Sequence, residues 1–361
     1  MNKANQDQPP SDIEDSQTSS DSSDGSSKYA GLFRRPETGA FMGMALVFIV
    51  FGFFGYEKNF LSVIGSSTWV NHASTIGIIA IPIGFLMIAG ELDISVGAVL
   101  PASAMTLGVT SGYYDLPIWI GITLTLCIAA AIGWINGMIV TRTQVPSLIV
   151  TLATLFAVSG LTLSLAILTT NTTQVALNAP GWAKALFGGR YLGGFRSSVF
   201  WWIGLTACFI FILHYSKWGN WIFALGGDKE SARNAGIPTN KLKIALFMLV
   251  AVCTALAGIC QAIQFNSAQS PTNFTLIFNT IIAVVVGGVL LTGGFGSVMG
   301  IFFGTLTLGI VQQGINFTNI DRNLSSLIIG VMLLIAVLMN DTFRALATSW
   351  STQKKKNGGD I

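Results

Sequence analysis

The chain is 361 residues long, 52% hydrophobic and only 10% charged, with a formal net charge of +3 and a mean hydropathy of +0.65. A soluble domain carries about 25% charged residues, so this chain lacks the polar surface to cover a water-facing globule. Its apolar runs of about 15 to 22 residues, without period-2 alternation, exclude a transmembrane barrel and predict an all-α integral membrane protein.

Residues 1–35 open the chain as a Ser- and Asp-rich tail. The first 28 residues hold six acids and two bases and almost no large apolar group, so they predict a disordered acidic segment. An acidic run is the opposite of the basic start of a signal peptide. Lys28, Arg34 and Arg35 precede the first apolar run and predict a cytoplasmic N-terminus.

Ten spans are predicted, near 40–55, 69–89, 94–112, 118–140, 147–168, 198–215, 243–264, 276–292, 298–314 and 323–340. Only short Gly-rich turns divide the second span from the third and the eighth from the ninth, so each pair also reads as a broken or re-entrant helix. With the N-terminus inside, the inner loops and ends hold 12 Lys and Arg residues, including Arg142, Lys217, Lys229, Arg233, Lys241 and Lys243. The outer loops hold five: Lys58, Lys184, Arg190, Arg196 and Arg322. That bias predicts both termini in the cytoplasm. The organisation expected is a tail over 1–35, a transmembrane domain over 36–345 with a long inner loop at 216–243, and a basic C-terminal tail over 346–361.

Glycine is abundant, with 40 residues, and the spacings Gly133–Gly137 and Gly300–Gly304 suit close helix approach. Cys127, Cys208, Cys253 and Cys260 all fall in apolar spans without metal-ligand spacing and read as small hydrophobes. No basic patch with interleaved aromatics marks a nucleic-acid partner. The outer loop 169–197 reads either as a solvated connector with a short amphipathic helix or as a surface for the membrane or an external partner.

The inner loop, SKWGNWIFALGGDKESARNAGIPTNKLK, is the most informative polar stretch of the body. After Gly226-Gly227, Asp228 or Ser231 can cap a short helix carried by Glu230, Ala232 and Arg233. Gly236 is placed to end it, and Pro238 prevents its continuation. A short capped helix held between two spans suits the docking of another protein; a solvated turn is the plain alternative.

Within the spans ionisable residues are few, and Glu91 and Asp93 in IAGELDISVGAVL stand out. The inside loop between the second and third spans accommodates both. Asp93 or Ser95 can cap the third span, where a carboxylate also meets the positive end of the helix dipole. A place along a polar substrate path is the other reading, shared with Asn136 and Asn279.

Four ordered blocks resemble bacterial ATP-binding-cassette sugar importer permeases of the ribose, xylose and arabinose type. Residues 226–237 (GGDKESARNAGI) resemble that family's cytoplasmic loop, roughly GGN-x-x-AAR-x-x-GI. Residues 90–97 (GELDISVG) resemble its GG-I-D-L-S-V-G block. Residues 134–137 (WING) with 141–152 (TRTQVPSLIVTL), and 283–288 (AVVVGG) with 293–297 (GGFGS), resemble two more, so the likeness spans roughly 40–340. Two departures stand out: Glu91 replaces the pattern's Gly, and 274–280 (FTLIFNT) lacks an acid the pattern carries before AVVVGG, with Asn279 the nearest polar group.

The resemblance implies a permease subunit in the bacterial inner membrane that works as a pair, expected to be a homodimer. It implies a cytoplasmic ATPase docking at Gly227, Asp228, Glu230, Ala232, Arg233 and Gly236, and a periplasmic sugar-binding protein delivering a monosaccharide or polyol. The chain has no G-x-x-x-x-G-K-[ST] phosphate loop, so ATP and Mg belong to the partner, and no cofactor or enzymatic site is expected here. A tentative substrate path takes Glu91, Asp93, Ser95, Asn136 and Asn279. An ion-coupled secondary transporter is the rival reading; it fits poorly with so few charges in the spans.

Overall fold

The computed structural model describes residues 36–318, 321, 324, 326–331 and 334. The acidic tail 1–35, the basic tail 346–361 and most of the tenth expected span, 323–340, lie outside the described residues.

Apart from a short helical stretch at Gly181–Ala183 and Lys184–Gly188 in the 169–197 loop, where a short helix was one of the readings, the α-helices in chain order are α1 (Pro36–Phe54), α2 (Val63–Ile88), α3 (Val96–Leu107), α4 (Ile118–Arg142), α5 (Ser147–Thr170), α6 (Ser197–Tyr215), α7 (Lys217–Gly227), α8 (Lys229–Asn234), α9 (Thr239–Phe265), α10 (Phe274–Val286) and α11 (Val298–Gly314). Among the described residues seven helices are long and apolar enough to cross a membrane: α1, α2, α4, α5, α6, α9 and α11 with its 3-10 extension to Phe317. Of the ten expected spans, the one near 94–112 is helical over Val96–Tyr113 and the one near 276–292 is shorter than expected. α3 has 12 residues, lengthened by a π-helical turn over Gly108–Tyr113, and α10 has 13. At 1.5 Å per residue α10 reaches about 20 Å, short of the roughly 30 Å hydrocarbon core. Both short helices belong to the two pairs the sequence left open as broken helices, and a non-helical break precedes α3 and follows α10.

The second half of α2, from Ile76 on, is apolar on every side, so it can be buried on every side. Ile76 through Ile88 are all buried. Of its most apolar stretch 83% is covered, against 11% for α1, which lies at the bundle surface. α9 is the second central helix, packed on α2, α3 and α4.

The spaced glycines make the closest helix contacts. A Cβ on Gly133 would stand 2.5 Å from the Phe247 carbonyl oxygen, and one on Gly137 2.7 Å from Ile244 Cα, so α4 lies directly on the α9 backbone. Likewise Gly300 and Gly304 bring α11 against Gly287 and Ala283 of the α10 end. Trp202 of α6 stacks on Phe302 of α11 with ring centroids 4.3 Å apart.

At one end of the bundle the chain builds a cap that the sequence reading of 169–197 did not contain. β1 (Gln174–Ala176) pairs antiparallel with β4 (Ser267–Gln269), with Val175 opposite Ala268, tying the loop after α5 to the loop after α9. β2 (Arg190–Tyr191) and β3 (Phe195–Arg196) form a hairpin. Asn71 of α2 holds it, donating to Gly194 O at 2.9 Å and accepting from Arg196 N at 2.8 Å. A cavity of about 480 Å³ opens beside this cap, between Ser111, Asp115, Asn178, Lys184 and Asn266. The inner loop 216–243 is almost wholly helical: α7, α8 and the first turn of α9 occupy it.

Candidate functional site

The site lies at the opposite end, around the break between α2 and α3. α2 closes with a Schellman turn: Gly90 takes a left-handed conformation (φ +82°), its N–H bonds Met87 O at 2.9 Å, and Glu91 N–H bonds Leu86 O at 3.0 Å. The next residues run without helix or strand, so their backbone needs other partners. Ser147 and Thr151 on the first turns of α5 supply them: Leu92 N–H donates to Ser147 Oγ at 3.1 Å and Ile94 N–H to Thr151 Oγ1 at 3.3 Å.

Asp93 is 1% exposed. Its Oδ1 accepts from Ser95 N at 2.8 Å and from Ser95 Oγ at 2.6 Å. Asn136 of α4 donates to Ser95 Oγ at 3.1 Å, and Thr154 of α5 donates to Asn136 Oδ1 at 2.6 Å. Asp93, Ser95, Asn136 and Thr154 thus form one buried chain of hydrogen bonds joining the break, α4 and α5. The capping expectation is corrected in detail. Ser95 stands at the N-cap position of α3 but makes no side-chain cap bond, and the Asp93 carboxylate binds the N–H of Ser95 itself. The carboxylate fixes the entry into α3 without serving its first turn.

Glu91 meets Lys243, the fifth residue of α9, in an ion pair; their side chains are 13% and 6% exposed. Lys243 reads in the sequence as a loop cation that orients the chain. It is instead a buried helical residue with one acidic partner, and only the distance of 152 residues hides the pairing.

α8 carries the features read from its sequence. Asp228 is the N-cap and accepts from Ser231 N at 2.8 Å. At the other end Gly236 N bonds Arg233 O at 3.0 Å and Ile237 N bonds Ala232 O at 3.1 Å, a Schellman motif with Gly236 at φ +81°. Ala232 is the one buried residue of α8; Lys229, Glu230, Ser231, Arg233 and Asn234 face outward.

The end of α2 with Gly90, the glycine end of α7 and the loop at Gly293-Gly294 converge just before α8. The Ile88 carbonyl accepts from Gly294 N at 2.8 Å. A Cβ on Gly226 would stand 1.7 Å from that same oxygen and 2.6 Å from Gly294 N, while one on Gly293 would stand 3.0 Å from Gly90 Cα and from Gly226 O. Bare backbone here touches bare backbone, and only glycine allows it. The sequence blocks at 90–97, 226–237 and 293–297 therefore form one junction. The structure brings Gly227, Asp228, Glu230, Ala232, Arg233 and Gly236 together on α8, and Glu91, Asp93, Ser95 and Asn136 together at the break. Asn279 stands apart, buried on α10 and sharing no hydrogen bond with them among the described residues. Lys243, Ser147, Thr151 and Thr154 were missed: hydroxyls inside an apolar helix carry no sequence signal.

Residues 65–337 match the family described as branched-chain amino acid transport system / permease component. An autoinducer 2 import system permease protein of Klebsiella pneumoniae is 30% identical over 73% of this chain and 79% of its own length. A xylose/arabinose import permease protein of Sulfolobus acidocaldarius is 30% identical over 87% of this chain and 90% of its own. A ribose import permease protein of Escherichia coli is 29% identical over 79% and 88%. No solved structure matches the chain.

Proposed function

Since this chain belongs to the family of membrane permease components of ATP-binding-cassette importers, and is an inner-membrane protein of that kind, we propose that it carries a monosaccharide or related polyol and is driven by a separate ATPase docking on α8. The observation that carries the reading is α8 itself. It is six residues long, capped at both ends, exposed on every residue but one, and rooted in the glycine junction. A helix so short is marginal alone, and its caps and root keep it rigid enough to be pushed. Arg142, Lys217, Lys229, Arg233 and Lys241 support a cytoplasmic junction end, and there movement of the docked ATPases tilts α8. The junction passes that tilt to the ends of α2 and α10. This is a two-state element biased by a ligand bound elsewhere.

The relatives named for xylose/arabinose and ribose, each matched over most of its length, support the sugar. So does the chemistry of the helices. Among the described residues the long apolar helices hold one carboxylate, Glu37 in the first turn of α1. An uncharged polyol needs modest polarity and loose binding along its path, and Asp93, Ser95, Asn136, Asn279 and the Glu91 region supply such groups at the junction end and on α10. A second permease copy completes the path, and a periplasmic binding protein delivers the substrate at the capped end.

The test is uptake of D-xylose or D-ribose into proteoliposomes holding the chain, its ATPase and its binding protein. Uptake is expected to require ATP and all three components. Uptake by this chain alone, driven by an ion gradient, would sink the reading in favour of an ion-coupled carrier.

A further inference from the structure

We propose that the Glu91–Lys243 ion pair is the latch that carries movement of α8 to the break before α3, so that both residues are positioning residues for transport; this rests on the reading of α8 as the docking helix.

The argument starts from which contacts can transmit a pull. Where the 217–243 segment meets the end of α2 and the loop after α10, the closest contacts are between backbones, Gly226 on Ile88 O and Gly294 on Gly227, beside Ile222, Leu225 and Leu242, which share an apolar core with Ile88. Backbone contact and apolar packing resist compression but offer no directional bond to pull on. Among the described residues, one side-chain hydrogen bond joins the 217–243 segment to the α2–α3 break, and it is Lys243 Nζ to Glu91 Oε1.

Its position suits the task. Lys243 stands on the first turns of α9, and only Ile237 and Pro238 separate α9 from the Gly236 end of α8. Pro238 fixes its own φ and removes a donor, leaving the link short and stiff. Glu91 directly follows the left-handed Gly90 and precedes Leu92, Asp93 and Ile94. Leu92 and Ile94 are anchored to α5, and Asp93 reaches α4 through Ser95 and Asn136. A displacement of α9's first turn that drags Glu91 therefore reaches the buried hydrogen-bond chain at the head of α3. Side chains only 13% and 6% exposed leave both charges little water to retreat to, so separating them is unfavourable and the two segments move together. Glu91 stands where the resembling loop pattern has Gly.

The experiment uses the full chain in nanodiscs with its ATPase. Amide hydrogen exchange is compared between the nucleotide-free and the ATP–vanadate-trapped complex, so no transported sugar needs to be known. In the native chain, trapping is expected to change exchange both over 229–237 and over 90–97, by about fivefold or more, the lower range of ordinary allosteric couplings. In Glu91→Gln and in Lys243→Gln the change over 229–237 stays while that over 90–97 falls away, and the charge swap Glu91→Lys with Lys243→Glu restores it. The double variant Glu91→Gly with Lys243→Leu leaves no buried charge unpaired; it is expected to bind the ATPase normally and to be as uncoupled as the single variants. A residue that merely props the fold would shift basal exchange and leave the nucleotide-dependent difference unchanged. The latch is overturned if the 90–97 response survives in the double variant, or if it survives equally in the single variants. Absence of any nucleotide response over 229–237 in the native chain overturns the docking reading instead.

Discussion

The break after α2 and the break after α10 begin alike and are finished by different chemistry. Each opens on a Schellman turn, with Gly90 (φ +82°) in one and Gly288 (φ +83°) in the other, and each ends at a serine before the next helix, Ser95 and Ser297. Beyond that they diverge. Ser297 caps α11 through Gly300 N at 3.0 Å, and its loop closes on its own backbone through Leu290 N to Phe295 O and Gly293 N to Leu290 O. Ser95 makes no cap bond, because its hydroxyl serves Asp93 and Asn136, and its loop is held by side chains from α4, α5 and α9. One break is stapled by polar side chains, the other by backbone and small volume. The first should therefore answer to changes of charge, and the second, with the junction around it, to changes of size.

The largest expected effect lies at the ion pair. Lys243→Met alone strands a buried carboxylate and is expected to cost about 3–5 kcal/mol, read as a fall in thermal unfolding temperature in detergent. Adding Glu91→Leu is expected to recover most of that loss. If the double variant stayed as unstable as the single one, the first break would owe its stability to packing, and the contrast would fail.

Next comes size. Gly226→Ala places a methyl group 1.7 Å from Ile88 O, with backbone on both sides and nothing flexible to yield. A loss of about 3 kcal/mol is expected, together with loss of uptake. Gly227→Ala, with no atom within 4 Å of its Cβ, is the matched control for stability and should keep the native unfolding temperature. Equal effects at the two positions would remove the junction from the argument.

Asp93→Ala against Ser297→Ala sharpens the same contrast. The first leaves the buried Ser95 N–H without its acceptor and is expected to cost about 1–3 kcal/mol. The second removes one N-cap bond, for about 1 kcal/mol. Chemical unfolding of the two variants in one detergent gives the order directly.

The sequence made the helices legible to within a few residues, because a lipid-facing or fully buried helix leaves a long apolar run, and α4, α5, α6 and α11 begin and end close to the expected positions. It made α8 legible nearly to the residue, with Asp228 one of two cap candidates and Gly236 its end, since both act through bonds to neighbours three to five positions away. What it hid was long-range. Lys243 follows a charged loop and looks like an orienting cation until the fold sets Glu91 beside it. Ser147 and Thr151 are ordinary helix residues until an unpaired backbone arrives. The β1–β4 pair is two three-residue strands more than 90 positions apart, too short for any alternation. The shortness of α10 follows from the break after it, which uses residues that still look apolar.

Gly236→Ala is the mildest of these changes and the one that separates coupling from stability. No atom lies within 4 Å of a Cβ built there, so the substitution introduces no clash. Its whole cost is the left-handed backbone at φ +81°, about 1 kcal/mol for an alanine. Because α8 is exposed and short, that strain should loosen its last turn rather than unfold the protein. The unfolding temperature should then hardly move, while ATP hydrolysis by the complex continues and uptake per ATP falls several-fold. Restored uptake with Gly236→Asn, which tolerates the left-handed region better than alanine, would tie the defect to the turn. Full uptake in Gly236→Ala would show that the rigidity of α8 is not what the ATPase works against.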